Sequence, residues 1–209
     1  MQMHTIADVR PAHRIAVLAT VDIVAAVVPE DLRRSTPCAG WNLADLLAHM
    51  TVQHRGFAAS ARGRGADLGV WQPAAVADAV AADPAGTYAA AAADVVEAFA
   101  ADGVLDATFM LPELSPGAAF PAALAIGFHF VDYVVHGWDV ARTIGAPFQP
   151  RADVVAAALP LALAVPDGTA RAALGGAFGA ALAADGASDL DRILSHLGRS
   201  PAWAPPASR

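Results

Sequence analysis

The sequence predicts an all-α fold, a four-helix bundle followed by a short C-terminal helical extension. Four long segments repeat apolar residues at helical spacing, and prolines and glycines separate them. Only one short stretch, from Thr108 to Leu111, resembles a strand. A chain of 209 residues suits one domain with a substantial core. We expect the bundle in residues 1–150 and the extension, packed on it, in residues 151–209.

The first two long helices have recognisable ends. The first is predicted from about Ile6 to Val28, and Pro11 fits it only in the first turn. A loop rich in turn residues follows, and the second helix is predicted from about Asn42 to Ala61. Asn42 can cap this helix together with Asp45, three residues later.

The later elements are bounded in the same way. Asp83 and Pro84 supply an N-cap and a first-turn proline, and Gly145 marks a helix end. The predicted elements after residue 73 are a short helix at about Ala74–Ala81, a third long helix from Pro84 to between Ala101 and Gly103, a loop or small hairpin in residues 104–120, a fourth long helix from between Pro116 and Pro121 to about Ile144, and extension helices at about Ala152–Leu163 and Leu190–Leu197.

Composition excludes several classes of function. All 13 basic residues are arginines, so the lysine of a Walker phosphate loop or of a Schiff base is missing. The net charge is −7 and the arginines are scattered, so no nucleic acid partner is expected. The most apolar stretch is too short to span a bilayer, so no membrane partner is expected either.

The single cysteine, Cys38, agrees with a reducing compartment, and a cytoplasmic location is expected. One cysteine cannot build a thiolate metal cluster. No histidine or lysine flanks Cys38 to lower its pKa, so a small buried or loop residue is favoured over a nucleophile.

Four polar residues lie on one stripe of the otherwise apolar fourth helix: His129, Asp132, His136 and Asp139. At roughly 100° per residue they fall within about 80° of one another around the helix axis. Polar groups are costly to bury without partners, and Asp132 and His136 have the one-turn spacing of metal ligands. The alternative is that Asp132 forms a cap or an ion pair and His136 is a hydrogen-bonded core histidine.

A metal needs at least a third ligand, and His49 in the second helix is the best candidate. Leu46 and Met50 flank it on the apolar face, although a core histidine bonded to a carbonyl fits this pattern equally well. His54 is turned away from His49 by roughly 140° and is excluded from the site. The histidines expected at the surface are His4, His13 and His196.

Three segments resemble one protein family: STPCAGWNLADLLAHM at 35–50, VDYVVHGWDVA at 131–141 and DLDRILSHLGRSPAW at 189–203. Their letters and their order are similar to those of the actinobacterial branch of the DinB-like superfamily of metal-binding proteins. This branch is related to the metal-binding domain of mycothiol-dependent maleylpyruvate isomerase. The resemblance covers nearly the whole chain, and it implies a DinB-like four-helix bundle that holds a divalent metal, zinc or nickel.

The resemblance also implies which side chains hold that metal, namely His49, Asp132 and His136. His129 is not one of the matched positions, so its role stays open between a fourth ligand, a donor to a ligand and a proton carrier. Asp139 is better placed as an acceptor for a ligand than as a ligand itself.

Three protein ligands leave one coordination position open, as in catalytic sites. A thiol in that position loses its proton and becomes a nucleophilic thiolate at neutral pH. The sequence therefore predicts a transferase or isomerase in which mycothiol or a similar small thiol attacks an electrophilic small molecule, with His129 in proton transfer. The alternatives are a non-catalytic metal or small-ligand binding protein and a bundle whose stripe is satisfied by hydrogen bonds alone. The alanine-rich surface is compatible with a homodimer.

Overall fold

Seven α-helices and one small hairpin make up the regular structure of the described residues, and the predicted all-α fold is confirmed. The structure is a computed structural model that describes residues 7–169, 171, 178–183 and 188–205. The elements are α1 Arg10–Val24, α2 Leu43–Ala61, α3 Ala77–Ala82, α4 Pro84–Ala100, β1 Thr108–Met110, β2 Ala119–Pro121, α5 Ala122–Ile144, α6 Ala152–Leu163 and α7 Asp189–His196. No helix within the described ranges is long and apolar enough to cross a membrane.

The four long helices α1, α2, α4 and α5 form the bundle. α2 packs against α4 and α5, and α1 packs against α5 and α4. Buried side chains from all four helices fill one part of the interior, among them Val17, Leu46, Tyr88 and Tyr133. α6 pairs with α7 and packs against α5 and α1. The division of the chain at residue 150 stays a prediction.

The first helix is shorter than predicted, and the second has the predicted cap. α1 begins at Arg10, so that Pro11 lies in its first turn, where a missing N–H is tolerated. It cannot run to Val28, because that residue is extended before a proline. At the start of α2 the Asn42 side chain accepts from the Asp45 N–H at 3.0 Å, and the Asp45 carboxylate accepts from the Asn42 N–H at 3.1 Å.

The stretch between α4 and α5 contains the small hairpin, one of its two predicted forms. β1 and β2 pair antiparallel, with Phe109 opposite Phe120. The Ser60 hydroxyl of α2 donates to the Met110 carbonyl at 2.8 Å and ties the hairpin to the bundle. Because β2 occupies residues 119–121, α5 begins at Ala122, directly after the predicted range of start positions.

Two glycines shape α5, which carries the polar stripe. Gly145 ends the helix in the left-handed region, with φ of +73°, as the sequence predicted. A Cβ atom on Gly137 would lie 2.8 Å from the Thr20 methyl carbon and 3.0 Å from the Phe148 ring. The missing side chain therefore allows α1 to approach α5 closely, directly beside His136.

Candidate metal centre

α5 and α2 bring three side chains together, which we call the candidate metal group: His49, Asp132 and His136. One ligand atom of each lies within 4.8 Å of the others, and the described part of the chain contains no second group of this kind. His136 Nε2 is 3.3 Å from one Asp132 oxygen, and His49 Nε2 is 3.9 Å from the other. Two imidazole nitrogens and a carboxylate are the donors of a three-ligand zinc site. The structure thus brings together the three side chains that were predicted from the sequence as metal ligands.

Asp139 fixes the orientation of the His136 ring. Its fully buried carboxylate lies 2.9 Å from His136 Nδ1. A carboxylate only accepts hydrogen bonds, so Nδ1 carries a proton and Nε2 is the nitrogen that faces Asp132. A histidine held in this way by a carboxylate is the usual arrangement behind a metal-binding imidazole. Asp139 therefore has the position that the sequence predicted, next to a candidate ligand.

Arg199 belongs to this site, and the sequence reasoning missed it. It follows α7, is only 4% exposed, and donates from Nη2 to the Asp139 carboxylate at 3.1 Å. Its Nη1 donates to the Leu197 carbonyl at 3.2 Å. The guanidinium compensates the buried charge of Asp139. A single arginine in a C-terminal turn has no periodicity that would reveal such a role, because only the folding back of the chain places it there.

Charge is unevenly distributed in the candidate metal group. Burial opposes protonation of His136, but the carboxylates of Asp132 and Asp139 outweigh it and raise the pKa of His136 to about 9. Burial lowers the pKa of His49 to about 4, against the attraction of Asp132. Burial also disfavours the Asp132 carboxylate, yet His136, His49 and Arg199 hold its pKa below the ordinary value. The group thus holds a positive charge on His136 that a divalent cation can replace.

The candidate metal group has one open side. The side chains of His49 and Asp132 are 23% and 20% exposed, whereas that of His136 is 2% exposed. The Trp41 ring lies 4.8 Å from the His49 ring and forms a wall beside it. Burial raises the pKa of Cys38, in the same loop, to about 11. Cys38 is therefore a protonated thiol at neutral pH, which agrees with the non-nucleophilic role expected from the sequence.

His129 lies apart from the rest of the stripe, in a second group that we call the histidine chain: His13, His129 and His54. The Nδ1 of His129 is 2.8 Å from His13 Nε2, and its Nε2 is 3.2 Å from His54 Nδ1. Both ring nitrogens of His129 are thus hydrogen-bonded, so neither is available as a fourth metal ligand. Proton transfer by His129 stays a prediction.

The expectation for the remaining histidines was partly wrong. His13 is 1% exposed rather than on the surface, because the first turn of α1 packs against α4 and α5. Its neighbours Arg10, Pro11 and Arg14 gave no apolar periodicity that would have revealed this. His196 is half-buried and lies 2.9 Å from the Val165 carbonyl oxygen. His4 lies outside the described residues.

The fold and the candidate metal group define a class of protein, a helical bundle with two histidines and one carboxylate gathered between two of its helices. The sequence profile of the mycothiol maleylpyruvate isomerase N-terminal domain matches residues 13–141, more than half of the chain. The chain belongs to that family.

Similar proteins occur in Mycobacterium tuberculosis. Two uncharacterized proteins, one from strain CDC 1551 / Oshkosh and one from strain H37Rv, are each 34% identical over 134 residues, which is 64% of this chain and 66% of the relative.

Among solved structures, the crystal structure of the mycothiol-dependent maleylpyruvate isomerase matches with a TM-score of 0.59 and 13% identity, over 77% of this chain and 68% of that one. A mutant of the same isomerase matches with a TM-score of 0.56, 12% identity and the same coverage. At these identities the match shows the fold, and together with the family it confirms the predicted relation to the isomerase's metal-binding domain.

Proposed function

We propose that the protein binds a divalent metal, zinc or nickel, and acts as a mycothiol-dependent transferase or isomerase on an electrophilic small molecule. The observation that carries the proposal is the gathering of His49, Asp132 and His136 at a partly exposed site. Membership in the family of the mycothiol maleylpyruvate isomerase N-terminal domain supports a mycothiol-related function. The expected homodimer and cytoplasmic location stay predictions.

The donor set suits such a metal. Imidazole and carboxylate ligands fit zinc and nickel alike. Burial keeps His49 neutral at physiological pH, so that its lone pair is available, and Asp132 supplies a negative charge. When bound, the metal supplies positive charge that favours the deprotonated form of a thiol.

The surrounding residues have separate roles in this proposal. Asp139 and Arg199 hold His136 in one orientation. The exposed edges of His49 and Asp132 leave a route for a small thiol and its electrophilic partner. Trp41 supplies an aromatic wall beside this route. Protons held by His129 pass to His13 and His54, because these are the groups that its nitrogens contact.

Metal binding is tested by elemental analysis of protein purified without a chelating tag and by zinc titration. We expect one metal per native chain, and a loss of affinity of about 100-fold or more in His49→Gln, because partners outside the ligand set already change affinity about 10–100-fold. His196→Gln is the matched control and should keep the native affinity, since His196 contacts the Val165 carbonyl instead. Native protein without stoichiometric metal, or unchanged affinity in His49→Gln, contradicts the metal site.

Thiol chemistry is tested separately with cobalt-substituted protein. Addition of mycothiol should produce a thiolate-to-metal absorption band. The same band in Cys38→Ser shows that the signal comes from the added thiol rather than from the protein's own cysteine. If the protein binds cobalt and no band appears, the thiol mechanism is wrong, and the result favours the alternative of a non-catalytic metal or small-ligand binding protein.

A further inference from the structure

The histidine chain joins three helices of the bundle through side chains alone. His13 comes from α1, His129 from α5 and His54 from α2, and the two nitrogen-to-nitrogen distances are 2.8 and 3.2 Å. The Tyr133 ring stacks on His54 at 4.0 Å and on His129 at 4.2 Å between ring centroids. The three imidazoles therefore form one continuous hydrogen-bonded line with a fixed ring packing.

All three rings are neutral. Burial lowers the pKa of His13 to about 3 and holds the pKa values of His129 and His54 well below the ordinary range. None of the hydrogen bonds of these rings goes to a carboxylate among the described residues. Each ring thus has one N–H and one lone pair, so it can donate on one side and accept on the other.

The two ends of the histidine chain differ. At the outer end, His13 lines a surface cleft with Asp8, Arg10 and Phe99. At the inner end, His54 Nε2 is buried and has no hydrogen-bond partner among the described residues. A buried polar nitrogen without a partner is rare in folded proteins, and each case calls for an explanation.

Hydrogen-bond geometry allows only two arrangements of the protons. If His129 carries its proton on Nδ1, it donates to His13 Nε2 and accepts from His54 Nδ1, so all three rings are protonated on Nδ1. If His129 carries its proton on Nε2, both bonds reverse and all three rings are protonated on Nε2. The tautomer of each ring therefore dictates that of the other two.

We propose that His13, His129 and His54 form a proton relay between the surface cleft and the interior of the bundle. A proton from water in the cleft binds His13 Nδ1, the His13 Nε2 proton moves to His129 Nδ1, and the His129 Nε2 proton moves to His54 Nδ1. The His54 Nε2 proton then passes to a water molecule that hydrogen-bonds to this nitrogen, which has no other partner among the described residues. One proton enters and one leaves, and all three rings change from the Nε2 form to the Nδ1 form. The reverse sequence returns the proton and restores the Nε2 form.

Nitrogen NMR of histidine-labelled native protein tests this relay. We expect couplings across both N–H···N hydrogen bonds, and ring nitrogen signals of His129 and His54 that are averaged between the protonated and bare forms. Rings that are fixed in one tautomer, or that are protonated on different nitrogens in the same chain, overturn the proposal.

The variant His13→Gln keeps a hydrogen-bonding group next to His129 but cannot pass a proton through itself. We expect the averaged signals of His54 to separate into one protonated and one bare nitrogen in this variant. His196→Gln is the matched control and should leave them averaged. If His13→Gln does not fold, the averaged or fixed ring nitrogen signals of His129 and His54 in native protein still decide the question. Zinc titration of the same samples reports on the metal separately, so the relay and the metal site can fail independently.

Discussion

α5 carries two buried histidines with opposite electrostatic surroundings. His129 and His136 are equally inaccessible, with 1% and 2% exposure. Yet the pKa of His129 lies well below the ordinary value, and that of His136 is raised to about 9. His129 hydrogen-bonds only to other imidazoles, whereas His136 lies between the carboxylates of Asp132 and Asp139. The neighbouring carboxylates, and not the degree of burial, therefore decide which histidine is charged.

This difference gives the two groups different chemical uses. A line of neutral imidazoles can exchange donor and acceptor roles, because no fixed charge favours one end. A histidine between two carboxylates instead holds a proton that a divalent cation can replace. The same residue type thus supplies a relay on one part of α5 and a candidate metal ligand two turns later.

We expect the largest effect from a substitution that removes the buried ion pair behind His136. Asp139→Asn leaves the 4% exposed guanidinium of Arg199 without a carboxylate. An uncompensated buried charge destabilises a protein by about 3–5 kcal/mol. Urea unfolding should show this loss in the free energy of unfolding, and the added change Arg199→Met should restore part of it.

Asp94→Asn is the matched control for this change. Its carboxylate pairs with Arg62 at 2.7 Å on the surface, where both side chains are about one third to one half exposed. We expect a loss below about 1 kcal/mol there, as for exposed ion pairs in general. Equal losses in the two variants would show that Asp139 and Arg199 do not form a buried pair in solution.

The next largest expected effect is a loss of folding stability in acid that comes from the histidine chain. The pKa of His13 is about 3 in the folded protein against 6.5 for the free side chain, so the unfolded state takes up the proton first. Its contribution to stability is therefore present above pH 6.5 and is lost as the pH falls toward 3. Between pH 7 and 4 this loss amounts to about 3 kcal/mol.

Metal-free protein and its His13→Gln variant, unfolded in urea at both pH values, measure that contribution. The variant should lose about 3 kcal/mol less on acidification than the native chain. His49, whose pKa is lowered to about 4, adds an acid-dependent loss to both proteins and cancels in the difference. The same acid-dependent loss in native protein and variant would place His13 in solvent and disprove the histidine chain.

We expect the smallest effect from a substitution at Tyr133, which tests whether the histidine chain and the candidate metal group are independent. Its hydroxyl donates to the Met50 carbonyl, and its ring stacks on His54 and His129. Tyr133→Phe keeps the stacking and removes one hydrogen bond, so the free energy of unfolding should fall by about 1 kcal/mol. Zinc affinity should not change, because the hydroxyl does not contact the candidate metal group. A loss of zinc affinity would mean that the two groups are coupled.

Local signals in the sequence predicted most of the helices. The Asn42 and Asp45 cap, the first-turn position of Pro11 and the stop at Gly145 each depend on a few neighbouring residues, and each has the predicted conformation. The helical spacing of Asp132, His136 and Asp139 likewise placed them on one face of α5. The inclusion of His49 in the candidate metal group also depended on the family resemblance. Periodicity alone fitted a metal ligand and a core histidine equally well at this position.

The sequence by itself thus determined the all-α class, several helix ends and the polar stripe, because these follow from backbone hydrogen bonding and side-chain period over a few turns. Only the tertiary structure decided that His129 joins His13 and His54, and that Arg199 covers Asp139. These partners are between 60 and 116 residues apart in the chain. No local pattern encodes such pairs, because their distance depends on how the helices pack against one another.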